Sequence, residues 1–210
     1  MPHVIAAREM QGKNTVALAR WLIGRLLVCA GPEGGEPRRV RIVETEAYHG
    51  PHDLACHASR GRTARNAVMF APGGVWYVYL CYGMHEMLNL VTGPADWPAA
   101  VLIRGIAGLN GPGRLTRALG LDRRLNGLPA AVASGLWIED DGWVVPRRAV
   151  HATPRIGVDY AGPVWAGKQW RFVLEGAAPD GTPSQIDPAS PLKPRAHHRA
   201  PLSRISAEGR

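Results

Sequence analysis

Glu44, Glu46 and Tyr48 occupy alternate positions of the run Val43-Glu44-Thr45-Glu46-Ala47-Tyr48. Successive side chains of an extended chain point to opposite faces, so these three share one face and Val43, Thr45 and Ala47 take the other. Two carboxylates beside a phenol could form a general base next to an aromatic platform. A solvated face on an edge strand is the other use of the same pattern. The next stretch carries His49, His52, Asp53, Cys56 and His57, residue types that zinc takes as ligands. Gly50 and Pro51 break the helix that the His52, Cys56 and His57 spacing would need, and no second ligand cluster follows, so no metal site is expected. Arg60, Arg62 and Arg65 come next among Gly61 and Asn66, a basic loop suited to phosphate contact or simply to solvent.

Tyr82 stands between two apolar, alternating runs, where a turn normally takes asparagine, aspartate or glycine. A large aromatic at a hairpin tip has nothing in its own hairpin to pack on. Proteins that kink DNA insert such wedges between base steps; a tip folded onto another loop is the alternative. Gly111-Pro112-Gly113 opens a helix whose first N–H groups could meet a phosphate, or it is a plain tight turn. Nucleophile-elbow, phosphate-loop, HExxH and dinucleotide-binding patterns are absent from the sequence. Cys29, Cys56 and Cys81 are odd in number and far apart, which reads as free thiols.

The elements that must position these residues are short. Asn14 or Thr15 caps a helix through Val16, Leu18, Trp21 and Leu22 that ends at Gly24. Strands are expected at 26–28 and 40–48, then a long loop over 49–66, a length that usually signals function. A hairpin follows over 76–91 about Tyr82-Gly83, then a strand at 100–103 and a helix from Gly111 to Gly120. A second hairpin is expected from Leu136-Trp137-Ile138 through Asp141-Gly142 to Trp143-Val144-Val145, and a last strand at 170–174. Mixed strands with few helices make one α+β domain, a mixed or antiparallel sheet core with flanking helices, over 1–176. Prolines recur through 177–210 among Arg195, His197, His198, Arg199 and Arg204. That composition cannot bury enough apolar surface to order itself and is expected to form a flexible basic tail.

The chain has 210 residues, and 46% of them are hydrophobic, which suits one ordinary globular domain. No apolar run approaches the roughly 20 residues of a membrane span, and no basic start leads into an apolar core. A soluble intracellular protein with no membrane partner is therefore expected. The formal charge is +8, and only Lys13, Lys168 and Lys193 are lysines, so the positive charge is almost all arginine. Guanidinium forks match phosphate oxygens, which points to nucleic acid; a general compositional preference for arginine would give the same count.

Taken in order, these segments resemble the alkyladenine DNA glycosylases, the mammalian-type 3-methyladenine DNA glycosylase family. The matching stretches are Val43–Tyr48, Arg62-Thr63-Ala64-Arg65-Asn66 with Met69-Phe70, Tyr77-Val78-Tyr79 leading to Tyr82-Gly83-Met84, Asn89, Val101-Leu102-Ile103-Arg104, Gly111-Pro112-Gly113 and Pro154-Arg155-Ile156-Gly157-Val158. The likeness spans about residues 4–175.

It implies a monofunctional glycosylase of base excision repair that flips alkylated or deaminated purines from duplex DNA. Glu46 would activate the attacking water, and Arg104 would help to hold it. Tyr48, His57 and Tyr79 would sandwich the flipped base, Asn89 would exclude guanine, and Tyr82 would fill the gap left in the stack. Met84, His85, Arg62 and Arg65 would contact DNA from a protruding hairpin and the basic loop. The implied partner is double-stranded DNA carrying damaged purines, bound by a monomer without cofactor or metal; in a bacterium its place would be the cytoplasm, at the nucleoid. A catalytically idle binder of damaged nucleic acid or RNA on the same scaffold is the alternative. One geometric consequence follows. A two-residue turn at Tyr82-Gly83 would put Tyr79 and Asn89 on opposite faces, so one pocket for both needs a three- or five-residue turn, or a bulge within 84–89.

Overall fold

The computed structural model describes residues 2–12 and 14–176. The expected basic tail at 177–210 lies outside them. In chain order the elements are β1 (His3–Val4), α1 (Thr15–Leu22), β2 (Leu26–Cys29), β3 (Arg38–His49), β4 (Trp76–Cys81), β5 (His85–Val91) and β6 (Ala99–Ile106). There follow β7 (Leu109–Asn110), α2 (Pro112–Leu119), β8 (Leu136–Asp140), β9 (Val150–Thr153), α3 (Gly162–Ala166) and β10 (Arg171–Leu174). All strand pairs are antiparallel, in the order β1-β8-β2-β3-β6-β5-β4, with β10 joining β3 and carrying β9. The fold is α+β, as expected from many strands with few helices.

β3 is the spine. Its first half pairs β2, its second half pairs β10 on that same edge, and β6 runs along the other edge. Glu44 and Glu46 therefore sit mid-sheet rather than on a solvated edge, and both are buried. The opposite face of the sheet carries the main core, with Trp76, Val78, Leu88, Leu90, Val101 and Ile103 packed with Leu22 of α1 and Leu115 and Leu119 of α2. Both helices follow from local chemistry. Asn14 Oδ1 accepts the Ala17 N–H at 2.9 Å, capping α1. α2 has Pro112 in its first turn and ends on Gly120, whose φ of 65° is the left-handed cap that glycine adopts without strain.

The β4–β5 register pairs Cys81 with His85, Tyr79 with Met87 and Tyr77 with Asn89. The loop therefore holds Tyr82, Gly83 and Met84, and Tyr79 and Asn89 share a face, as a common pocket demands. Tyr82 and Gly83 take φ of 50° and 71°, the positive sign that a type I′ turn needs at its central residues. Tyr82 adopts it at some cost for a residue with a side chain.

Two expectations need correction. Residues 143–145 form no strand, because both edges of β8 are already occupied by β1 and β2. Trp143 and Val145 instead pack over Gly24, where a Cβ would collide with Val145, and the Arg41 guanidinium lies 4.7 Å from the Trp143 ring. The strand expected at 100–103 extends over Ala99–Ile106. Among the described residues no helix is long and apolar enough to cross a membrane.

Candidate active site

On the sheet face opposite the main core, one rung carries Tyr77, Asn89, Leu102 and Glu46 across β4, β5, β6 and β3. The next rung adds Ala100 and Tyr48. These side chains floor a cavity of about 410 Å³, which is lined also by His57, Tyr79, Ile156, Tyr160, Arg65 and Tyr82.

Glu46 is wholly buried. Its Oε1 accepts the Ile156 N–H at 2.9 Å and faces Arg104 Nη1 at 3.4 Å, and its Oε2 accepts the Tyr48 hydroxyl at 2.9 Å. Burial raises its pKa above the ordinary carboxylate value, against the pull of Arg104, Ile156 and Tyr48, and Glu44 adds repulsion. Burial and the Glu46 charge push the Tyr48 phenol well up, so Tyr48 stays a donor. Arg104 reaches Glu46 from a bulge. Between the pairs Thr45–Ile103 and Glu44–Gly105, β6 carries Arg104 as an extra residue, and bulges commonly re-aim a side chain beside active sites.

The aromatic wall is packed ring on ring. His57 lies 4.5 Å from Tyr79 between centroids, and its Nδ1 is 3.1 Å from the Tyr77 hydroxyl. Partial desolvation, with Arg65 nearby, lowers the His57 pKa, so the imidazole is neutral at pH 7. Burial pushes Tyr77 up to about 12 and raises Tyr79 as well. Asn66 staples the loop that bears His57, donating to the His57 and Gly61 carbonyls at 3.0 and 2.9 Å and accepting the Thr63 N–H at 2.6 Å. Asn89 donates both amide hydrogens to the Tyr77 and Met87 carbonyls, each at 3.1 Å. Its amide is thereby held in one orientation.

Glu46, Tyr48, His57, Arg65, Tyr79, Tyr82, Asn89 and Arg104 thus line one cavity. Arg62, Met84 and His85 do not. Arg62 is exposed, over Phe70 at 4.7 Å and 3.6 Å from Asp96. Met84 is exposed beside Tyr82, itself 90% exposed at the tip. His85 packs on Gly113, where a Cβ would lie 2.8 Å from its ring. The residues once weighed as zinc ligands are dispersed. Asp53 pairs with Arg155 at 2.6 Å, His49 lies edge-on to Trp97 and Trp170, and His52 is exposed. Among the described residues no group of three or more His, Cys, Asp or Glu could hold a metal ion.

Sequence reasoning missed the Arg155–Asp53 pair, the Ile156 N–H and the place of Tyr77. Arg155 has no exposed side-chain surface and lies 4.9 Å from the Tyr48 ring and 5.1 Å from Trp170. Its one advance signal was an arginine directly before the stretch Ile156-Gly157-Val158.

Comparison with known proteins finds matches over most of the chain. The family profile for Methylpurine-DNA glycosylase (MPG) matches residues 9–109 and 105–178. A protein of Anaeromyxobacter sp. (strain Fw109-5) is 46% identical over 179 residues, 82% of this chain and 90% of that protein. One from Myxococcus xanthus is 52% identical over 169 residues, covering 76% and 84% of the two chains. One from Methanocella arvoryzae is 44% identical over 188 residues, covering 80% and 91%. All three are named "Putative 3-methyladenine DNA glycosylase".

Proposed function

The chain belongs to the methylpurine-DNA glycosylase family, and we propose that it flips alkylated or deaminated purines out of duplex DNA and hydrolyses their glycosidic bond with a water activated by Glu46. The observation that carries this reading is a buried carboxylate of raised pKa on the floor of a cavity walled by aromatic rings packed edge-on and lined also by arginine. The cavity volume falls within the roughly 300–1,000 Å³ of small-molecule sites.

The chemistry follows from the leaving base. A purine alkylated at N3 or N7 carries positive charge and departs neutral, taking the electron pair of the glycosidic bond and leaving positive charge on the sugar. A deaminated purine starts neutral and departs the same way once it has taken a proton from solvent water. Glu46 stabilises that charge and takes a proton from the water that bonds to the sugar carbon. Tyr48, His57 and Tyr79 stack on the extruded base, at about 1–3 kcal/mol per base. A neutral His57 avoids repelling a cationic base. Arg104 steadies Glu46, and Asn89, fixed by its two carbonyl bonds, crowds the 2-amino group of guanine. Tyr82 fills the vacated stack, offsetting the few kcal/mol that unstacking costs. Met84, His85, Arg62 and Arg65 contact the duplex around it. Residues 1–176 are the glycosylase domain, and 177–210 add non-specific, salt-dependent affinity through Arg195, Arg199, Arg204 and Arg210.

A binder without activity would gain nothing from Glu46, whose burial as a charge costs stability. Glu46→Gln tests the assignment. Base release from a lesion-bearing duplex should be abolished while binding stays within about tenfold, or ~1.4 kcal/mol. Full turnover by the variant would remove Glu46 from this role.

A further inference from the structure

Glu44 lies two residues before Glu46 on the same face of β3 and is only 6% exposed. Its Oε1 accepts from Arg104 Nε at 2.9 Å and from Arg171 Nε at 2.6 Å. Arg104 thereby spends its Nε on Glu44 and turns Nη1 toward Glu46 at 3.4 Å. Arg171 comes from β10, where it stands opposite Glu46 in the ladder, and its Nη1 donates to Thr153 Oγ1 at 3.1 Å. The charges alternate along one line: Arg171, Glu44, Arg104, Glu46. Gly105 leaves room for it, since a Cβ there would lie 3.0 Å from the Glu44 Cβ and 3.2 Å from its Oε2.

We propose that Glu44 is a positioning residue for the reaction: anchored by Arg171, it aims Arg104 at Glu46 and offsets the arginine's charge, so that Glu46 remains basic enough to take a proton from water. This rests on Glu46 being the base, as argued above. An arginine alone beside Glu46 would stabilise the carboxylate and weaken it as a base; a second carboxylate of like sign opposes that effect. The groups facing Glu46 are Glu44 and Tyr48 on β3, Arg104 on β6, Arg171 on β10, Tyr79 on β4, and Arg155 and Tyr160 beyond β9. Of the acidic side chains among them, Glu44 alone belongs to the line of alternating charge. Glu44 itself does not line the cavity and acts through Arg104, which does.

The full-length protein and a duplex carrying 3-methyladenine, which has no 2-amino group for Asn89 to crowd, provide the test. That base is cationic and leaves without protonation, so the acidic limb of single-turnover rate against pH reports the base alone. Glu44→Gln keeps the shape and removes the charge. Its acidic limb should move down by about one pH unit, with a roughly tenfold slower rate at neutral pH. Arg171→Gln leaves Glu44 less compensated, so its limb should move up. Shifts of opposite sign, at comparable melting temperatures, are not what a merely structural role gives. Rates that fall with no shift of either limb, or shifts of the same sign, overturn the proposal. If Glu44→Gln does not fold, Arg171→Gln decides, and an unmoved limb overturns it. Glu46→Gln separates the two levels. Retained turnover there defeats the assignment of the base itself, whereas an inactive Glu46→Gln with an unmoved Glu44→Gln profile defeats this inference alone.

Discussion

Replacing Asp53 by asparagine should destabilise the protein severely, although the change preserves shape. Asp53 and Arg155 have no exposed side-chain surface and pair through two contacts, Nη1 to Oδ2 at 2.6 Å and Nη2 to Oδ1 at 2.9 Å. The carboxylate also accepts the His49 and Ala55 N–H groups, each at 3.1 Å. The guanidinium donates further to the Ala47 and Trp165 carbonyls at 2.8 and 3.2 Å. Removing one partner of a buried pair strands the other charge, at about 3–5 kcal/mol. At about 2–4 °C per kcal/mol for a chain of this size, the melting temperature should fall by roughly 6–20 °C. Thermal and urea unfolding at pH 7 measure this directly. Because Ile156, the neighbour of Arg155, donates to Glu46, base release should also fall well below the new melting temperature. Asp53→Asn with Arg155→Met should recover part of the loss, since an apolar replacement of the whole pair is often near neutral. A loss below about 1 kcal/mol, or a double variant no more stable than the single one, would refute the stranded-charge reasoning.

Tyr82→Ala should weaken excision from duplex while sparing it from single strands, where no stack needs filling; equal losses on both, measured side by side, would make Tyr82 a pocket or folding residue. Asn89→Ala should permit slow release of undamaged guanine and leave hypoxanthine release little changed, because deleting a clash relaxes selectivity without adding a contact; a uniform loss would assign Asn89 to structure. Glu46→Gln should gain stability over the parent as pH rises. A carboxyl whose folded pKa is raised contributes its stability below the unfolded pKa and loses it as pH climbs through the folded one. Melting temperatures compared from pH 4 to pH 8 should diverge in the variant's favour, and parallel curves would show that burial does not raise Glu46.

What was legible in the sequence is what short-range geometry decides. The period of two places Glu44, Glu46 and Tyr48 on one face whatever surrounds them. Asn14 and Gly120 mark helix ends because capping acts within a turn. The turn at Tyr82-Gly83 was read locally too, and requiring Tyr79 and Asn89 to share a pocket called for the odd-length loop that the register shows. Residues 143–145 were misread because their alternation looks like a strand, whereas pairing depends on a free edge that β1 and β2 had already taken. The site's remaining parts are of that second kind. Asp53 meets Arg155 across 102 residues and Glu46 meets the Ile156 N–H across 110. Arg104 reaches both glutamates only because β6 bulges where it crosses β3. Local chemistry determines which way a side chain leaves its own strand; which distant group it then meets is decided by strand order, register and bulge, and these emerge only when the whole sheet closes around its core.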